Sequence, residues 1–101
     1  MKISFNKPIL HLDGVSAKDE KGEPITLGKQ LAIQLSQLTK GDAFKMFDWS
    51  KKMYNGETLN LDRSDTQLLK ETIEKMENIT VLFKAQLLEI FTANNPDSNA
   101  E

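Results

Sequence analysis

The chain has 101 residues, with 13 Lys and Arg against 15 Asp and Glu, and 39% of its residues are hydrophobic. This balance is typical of one small globular domain and excludes collagen-like, low-complexity and wholly disordered chains. Because the chain has no cysteine and a single histidine, it cannot hold a disulfide scaffold, a thiolate zinc site, a cysteine nucleophile or a multi-histidine metal site.

The net charge of −2 comes entirely from residues 94–101, which contain Asp97 and Glu101 and no basic residue. Residues 1–93 are therefore formally neutral, whereas a protein that binds nucleic acid needs clustered Lys and Arg. Every apolar run is shorter than the ~18 residues of a membrane span, and the N-terminus lacks a signal-peptide core. We expect a cytoplasmic protein that binds neither nucleic acid nor membrane, with 94–101 as a flexible acidic tail.

Residues 2–26 are predicted to form a β-hairpin. Apolar and polar residues alternate in part, Asp13-Gly14 is a turn signal, and the second arm ends near Thr26. Two strands alone are marginally stable in water, so the hairpin must pack on the helices. The apolar residues expected to make this contact are Ile9, Leu10, Leu12 and Ile25.

Two helices are predicted next, over residues 27–38 and about 42–55. Thr26 and Asp42 are suitable N-caps, and Gly41 is a suitable C-cap for the first helix. The first helix carries leucines at helical spacing. The residues assigned to the apolar face of the second are Ala43, Met46, Phe47, Met53 and Tyr54.

Two further helices are predicted over residues 65–77 and 81–93, with Ser64 or Asp65 capping the third helix and Thr80 the fourth. The segment between the second and third helices is predicted to be an extended linker with two anchoring leucines. The expected architecture is α+β and mainly α, with an N-terminal β-hairpin packed on about four short helices. A single globular domain is expected over 1–93.

Two aromatic residues of the second helix are candidates for a partner surface. Phe44 lies among charged residues on the helical wheel, opposite the predicted apolar face. It either packs beneath the hairpin or linker, or it is an exposed anchor for a partner, since aromatic residues dominate interface hot spots. Trp49 shows the same ambiguity in a milder form, and a position at the boundary of the core is expected for it.

The fourth helix is apolar on nearly all sides, because only three of residues 81–91 are polar. Such a helix is buried on most of its surface. Phe83, Leu87 and Ile90 are expected to fill the core. The opposite side, formed by Val81, Ala85 and Leu88, is a candidate homo-oligomer or partner surface, with burial inside the monomer as the alternative.

Motifs that would indicate catalysis or a cofactor are weak in this sequence. It has no Gly-rich phosphate loop, no GxSxG and no HExxH, so we expect no catalytic residue, no cofactor and no metal ligand. Residues 60–71 place oxygen ligands as an EF-hand loop does, but Asp65 stands where that loop requires Gly. The helix pair over 27–54 could resemble a DNA-binding motif, but Asp42 at the start of its second helix would repel phosphate.

Several short segments between residues 8 and 89 resemble small proteins of unassigned function that recur in bacteriophage and prophage genomes. The segments are Pro8-Ile9, Leu12-Asp13-Gly14, Asp19 to Gly28, Lys40 to Ala43, Trp49, Tyr54 to Glu57, Leu61-Asp62 and Lys84 to Glu89. The resemblance implies a protein that works inside a bacterial cell or in virion assembly, and it assigns no site residues.

The expected function is that of a non-catalytic protein–protein interaction module of phage or prophage type. Its partner would be a viral or host protein, its role that of a virion-assembly accessory or a chaperone-like factor, and it could form a homo-oligomer. One alternative is a phage inhibitor of a host defence or regulatory protein. The second alternative is a small DNA-binding regulator, which the neutral charge of residues 1–93 disfavours.

Overall fold

The computed structural model describes residues 2–38 and 41–94 and confirms a mainly α fold with a small antiparallel β component. Its elements in chain order are β1 (Lys2–Ile3), α1 (Leu27–Ser36), α2 (Ala43–Tyr54), β2 (Leu59–Asn60), α3 (Arg63–Glu74) and α4 (Val81–Asn94). Within the described residues, none of the four helices is long and apolar enough to cross a bilayer. The expected tail at 94–101 falls, beyond Asn94, outside these residues.

The chain divides into two compact units. The first unit comprises Ser4–Leu59, and the second comprises Met1–Ile3 with Asn60–Glu101. Strands β1 and β2 pair in a two-stranded sheet, and the division falls directly after β1 and within β2. The single domain expected over residues 1–93 stays a prediction.

The N-terminal segment differs in detail from a simple hairpin over residues 2–26. It contains isolated antiparallel bridges from Pro8 to Thr26, Leu10 to Ser16 and Lys18 to Pro24. Strand β1, in contrast, pairs with β2, which the sequence indicated only as an extended linker. Long-range pairing of two-residue strands leaves no local pattern in a sequence, so this register could not be predicted.

Three backbone hydrogen bonds form a closed ring at the centre of this segment. Ile9 N–H donates to the Ile25 carbonyl (2.8 Å), Ile25 N–H to the Ala17 carbonyl (2.9 Å), and Ala17 N–H to the Ile9 carbonyl (2.7 Å). The three residues are spaced eight apart in the sequence. Within the ring, each of them donates one hydrogen bond and accepts one. This ring satisfies backbone groups of a segment that lacks long strands.

The turn expected at Asp13-Gly14 is present, but the apolar side chains beside it are exposed to solvent. Val15 N–H donates to Asp13 Oδ1 (3.0 Å), and Gly14 has a φ of +85°, which glycine adopts without strain. Leu12 is 95% exposed at this turn and Leu10 is also exposed, so the prediction that both contact the helices was wrong. Ile9 and Ile25 are half-buried.

Helices α1 and α2 begin where the sequence predicted. The Lys29 N–H donates to Thr26 Oγ1 (3.2 Å) and the Lys45 N–H to Asp42 Oδ1 (3.1 Å), which confirms both N-caps. Helix α1 ends at Ser36, two residues earlier than predicted, because the chain tightens there and Gln37 is its C-cap. Gly41 has a φ of +108°, and Thr39 and Lys40 lie outside the described residues.

Helices α1 and α2 pack against each other at a glycine. A Cβ atom on Gly28 would stand 2.8 Å from the Met53 carbonyl oxygen and 3.2 Å from the Phe5 carbonyl oxygen. The close approach of these backbones therefore requires a residue without a side chain. The buried apolar side chains of this unit include Phe5, Leu27, Leu31, Leu35, Met46, Trp49 and Met53.

Helix α3 begins earlier than predicted, and Asp62 is its N-cap. The Asp65 N–H donates to Asp62 Oδ1 (2.7 Å), so the prediction of Ser64 or Asp65 as the cap was wrong. The predicted cap of α4 is confirmed, since the Phe83 N–H donates to Thr80 Oγ1 (3.1 Å). Helix α3 ends at Glu74 rather than at residue 77.

A lysine of α4 closes the end of α3. Lys84 Nζ donates to the carbonyl of Glu74, the last residue of α3 (3.2 Å), and to the carbonyl of Met76 just beyond the helix (2.7 Å). The last carbonyls of a helix have no partner within it and carry partial negative charge, so a cation there is favourable. Helix α4 also contacts β1. The buried side chains of this unit are Ile3, Leu61, Leu69, Ile73, Met76, Phe83, Leu87, Ile90 and Phe91.

Candidate functional site

Helix α2 buries a face that overlaps only in part with the one that the sequence indicated, because Met46 and Met53 are buried as assigned but Ala43 is exposed. Met46, Trp49, Ser50 and Met53 are its buried residues. Phe47 and Tyr54, which were assigned to the apolar face, are 59% and 52% exposed. The assignment was wrong because α2 carries aromatic residues on two sides, and the side with Trp49 packs inward. Trp49 is only 5% exposed, so this candidate belongs to the core and contributes nothing to a partner surface.

The exposed side of α2 carries three aromatic residues in one stripe. Phe44 is 89% exposed, which excludes the alternative that it packs beneath the hairpin or linker, and Phe47 and Tyr54 lie on the same side. At 100° per residue, Phe44, Phe47, Lys51 and Tyr54 fall within an arc of about 80° and span about 15 Å of helix. These four residues are called the α2 aromatic face below.

Lysine side chains lie over two of these rings. Lys51 Nζ is 4.7 Å from the centroid of Phe47, and Lys29 Nζ, from α1, is 5.6 Å from the centroid of Tyr54. Both distances are within the range of cation–π attraction, which contributes about 0.5–1 kcal/mol at exposed sites. The contacts hold positive charge directly beside exposed apolar surface.

The neighbouring charges complete the electrostatics of this side of α2. Asp48 is bound by Lys52, with 3.1 Å between Lys52 Nζ and Asp48 Oδ2, and this pair lies along one edge of the face. The opposite charges of this exposed pair offset each other. Lys29 and Lys51 consequently determine the charge beside the aromatic rings, and that charge is positive.

The one polar residue on the buried side of α2, Ser50, has a hydrogen-bond partner. The Ser50 hydroxyl donates to the Met46 carbonyl at 2.7 Å, one turn back along the helix. Among the side chains that the structure describes, every buried nitrogen or oxygen has a hydrogen-bond partner. The buried side of α2 therefore serves packing, and the chemistry that could meet a partner lies on the opposite side.

The residues proposed on α4 occupy one side of that helix, as the wheel predicted. Val81 is 85% exposed, Ala85 is exposed and Leu88 is half-buried. Phe83, Leu87 and Ile90 are buried, which confirms their predicted core position. Homo-oligomerisation through Val81, Ala85 and Leu88 stays a prediction. These residues and Phe44 belong to different units, and each surface is described by itself.

The remaining polar groups form no obvious reactive centre within residues 2–38 and 41–94. No group of three or more His, Asp or Glu side chains there is placed to hold a metal ion. His11 is exposed, as expected, at the turn where its N–H donates to the Val15 carbonyl (2.8 Å). The α2 aromatic face is consequently the best-defined candidate site in the described chain.

Comparisons of the chain with protein-family models, with curated proteins and with solved structures found no match. The resemblance to bacteriophage and prophage proteins therefore stays a prediction.

Proposed function

We propose that this chain is a non-catalytic protein-interaction module that binds an acidic partner protein through the α2 aromatic face. The observation that carries the proposal is the exposure of Phe44, Phe47 and Tyr54 along one side of a helix whose other side is buried. Aromatic rings are large apolar groups, and three of them in contact with water on one stripe are a poor arrangement for an isolated protein.

The spacing of the face fits a known mode of recognition. Phe44, Phe47, Lys51 and Tyr54 stand at i, i+3, i+7 and i+10, the pattern by which one side of a helix meets a partner surface. Aromatic residues are also enriched among the few side chains that supply most binding energy. A partner that packs along this stripe would remove all three rings from water at once.

The charge of the face selects the chemistry of the partner. Lys29 and Lys51 lie over the rings, whereas Asp48 is paired with Lys52. An apolar surface bordered by carboxylates complements this arrangement, and like charges would be repelled. The partner is therefore an acidic protein surface with apolar residues at its centre.

The biological setting of the proposal comes from the resemblance alone. We propose a phage or prophage protein that acts in the bacterial cytoplasm or on the virion as an assembly accessory or a chaperone-like factor. Inhibition of a host protein is the alternative, and it would use the same face.

Affinity capture from bacterial extracts tests the proposal, followed by calorimetry with the purified protein that is captured. Wild-type chain is compared with the variant F44S/F47S, and Leu12→Ser is the matched control because Leu12 is equally exposed but lies on a turn. We expect F44S/F47S to bind at least about 100-fold more weakly, since hot-spot truncations cost ~2 kcal/mol or more each. L12S should bind as wild type does.

Two outcomes would contradict this function. Undiminished binding by F44S/F47S would show that the α2 aromatic face is not the docking surface. Tight binding of a single-stranded oligonucleotide that is lost in F44S/F47S would show instead that the rings stack on bases. Unfolding curves of both variants serve as the control for folding, and we expect changes within about 0.5 kcal/mol.

A further inference from the structure

Two cavities border the α2 aromatic face, and both lie within the unit Ser4–Leu59. The first, of about 160 Å³, lies between the end of α1 and the start of α2. Its apolar lining includes Leu35, Leu38, Ala43, Met46 and Phe47. A space of this size and lining suits one apolar side chain.

The second cavity, of about 380 Å³, lies at the other end of the face and is polar. It is lined by Asn6, Thr26, Lys29, Tyr54, Asn55 and Gly56. Lys29 supplies a cation, and the two asparagine amides and the tyrosine hydroxyl can donate hydrogen bonds. None of the six lining residues carries a negative charge. The ligand chemistry that fits this set is a carboxylate.

A backbone feature keeps this polar cavity open. Gly56 has a φ of +76°, and a Cβ atom added to it would stand 3.3 Å from Cγ of Asn6. A residue with a side chain at this position would be strained and would press on the amide that lines the cavity. The position of the Asn6 amide at this cavity therefore depends on glycine at position 56.

Both cavities have lining residues on α2, and Phe47 and Tyr54 are the lining residues that belong to the α2 aromatic face. Phe47 lines the first and Tyr54 the second, and seven residues of helix span about 10 Å. Three residues of extended chain, or seven residues of helix, cover about the same distance.

We infer that the α2 aromatic face recognises a linear segment of its partner at two points. An apolar side chain of the segment enters the cavity beside Phe47, and an Asp or Glu side chain of the same segment reaches the polar cavity at Lys29. The two residues of the segment stand three apart when it is extended and seven apart when it is helical. This inference rests on the proposed function and specifies the partner of the same face.

Selection from a random library of twelve-residue peptides against the full chain tests the inference, with F44S/F47S as the background. We expect enriched peptides to pair a large apolar residue with Asp or Glu at a spacing of three or seven. Replacing that Glu by Gln in a synthetic peptide should weaken binding about tenfold, the scale of one charge-assisted hydrogen bond.

A double-mutant cycle then assigns the carboxylate to Lys29. Lys29→Gln should weaken binding of the Glu peptide by a similar factor and bind the Glu and Gln peptides equally well. Lys21→Gln is the matched control, because Lys21 is an exposed lysine of the same unit that lies on a turn and does not line the polar cavity. It should leave both affinities unchanged. Equal losses from Glu→Gln on wild type and on K29Q would overturn the assignment.

Filling the first cavity tests the other point. Ala43→Leu places a larger side chain in that space, and it should weaken the parent peptide several-fold. A peptide whose apolar anchor is Ala should bind A43L and wild type equally.

Peptides that enrich without an acidic residue, or with no preferred spacing, would overturn two-point recognition while leaving the proposed function intact. Failure to enrich any peptide above F44S/F47S would overturn recognition of a linear segment, and protein capture would still decide the function separately.

Discussion

Helices α2 and α4 differ in how many of their large apolar side chains are buried. Helix α4 is apolar on nearly all sides, and it buries Phe83, Leu87, Ile90 and Phe91 and leaves Val81 exposed. Helix α2 is less apolar, yet it exposes Phe44, Phe47 and Tyr54. Apolar content therefore does not identify a docking surface. What identifies it is large apolar area that remains exposed after the core has been filled.

The sharpest contrast is expected within α2, between Trp49 and Phe44. Trp49→Ala removes a buried ring and should lower the free energy of unfolding by about 3–5 kcal/mol, because it leaves a cavity. Phe44→Ala removes an exposed ring and should change it by less than about 0.5 kcal/mol. Urea unfolding followed by circular dichroism measures both. Equal losses would show that Phe44 packs in the core.

The same contrast should hold within α4. Leu87→Ala truncates a fully buried side chain and should cost about 2–5 kcal/mol. Val81→Ala lies on the exposed side and should change the free energy of unfolding by less than about 0.5 kcal/mol. Thermal unfolding of the two variants is the measurement. If V81A is as costly as L87A, the side formed by Val81, Ala85 and Leu88 is covered. A midpoint that rises with protein concentration would then assign the cover to a second copy, and a constant midpoint would assign it to the same chain.

Removing the hydrogen bonds of Lys84 in α4 should change the free energy of unfolding by a smaller amount. Lys84→Met keeps most of the apolar stem but removes the two hydrogen bonds to the Glu74 and Met76 carbonyls. Hydrogen bonds to charged groups contribute about 1.5–3 kcal/mol, so we expect a loss of roughly this size. Lys75→Met, an exposed neighbour at the end of α3, is the control. A loss in K75M that matches K84M would refute the capping role.

The smallest effect concerns the start of α3, the helix that packs on α4. Asp62→Ala should lower the free energy of unfolding by about 1 kcal/mol, the value of a lost N-cap. Ser64→Ala should have almost no effect, because Ser64 lies inside the helix at an exposed position. Chemical denaturation of the two variants distinguishes them. The reverse order of losses would restore the cap that the sequence indicated.

Local signals predicted much of the fold. Thr26, Asp42 and Thr80 were identified as caps because each stands just before a helical pattern and acts on the next turn. Asp62 was missed because Ser64 and Asp65 are equally suitable cap residues in the same segment. The pairing of β1 with β2 was missed because it joins distant residues.

The candidate site was predicted only in part, for a physical reason. Phe44 was identified because it stands among charged residues on the wheel. Phe47 and Tyr54 were not, because Met46 and Met53 are compatible with either of two overlapping faces of α2. The face that packs inward is the one that contains Trp49, the largest side chain of the helix. Periodicity gives the existence of an apolar face more reliably than its centre.

The orientation of α2 underlies the whole account, and moving the single tryptophan tests it directly. The wild-type chain reports on position 49, and the variant F44W/W49F reports on position 44 of the same helix. Acrylamide quenching of tryptophan fluorescence compares the two. We predict weak quenching and blue-shifted emission for wild type, and strong quenching and red-shifted emission for F44W/W49F. Equal quenching, or weaker quenching at position 44, would contradict an exposed aromatic face on α2.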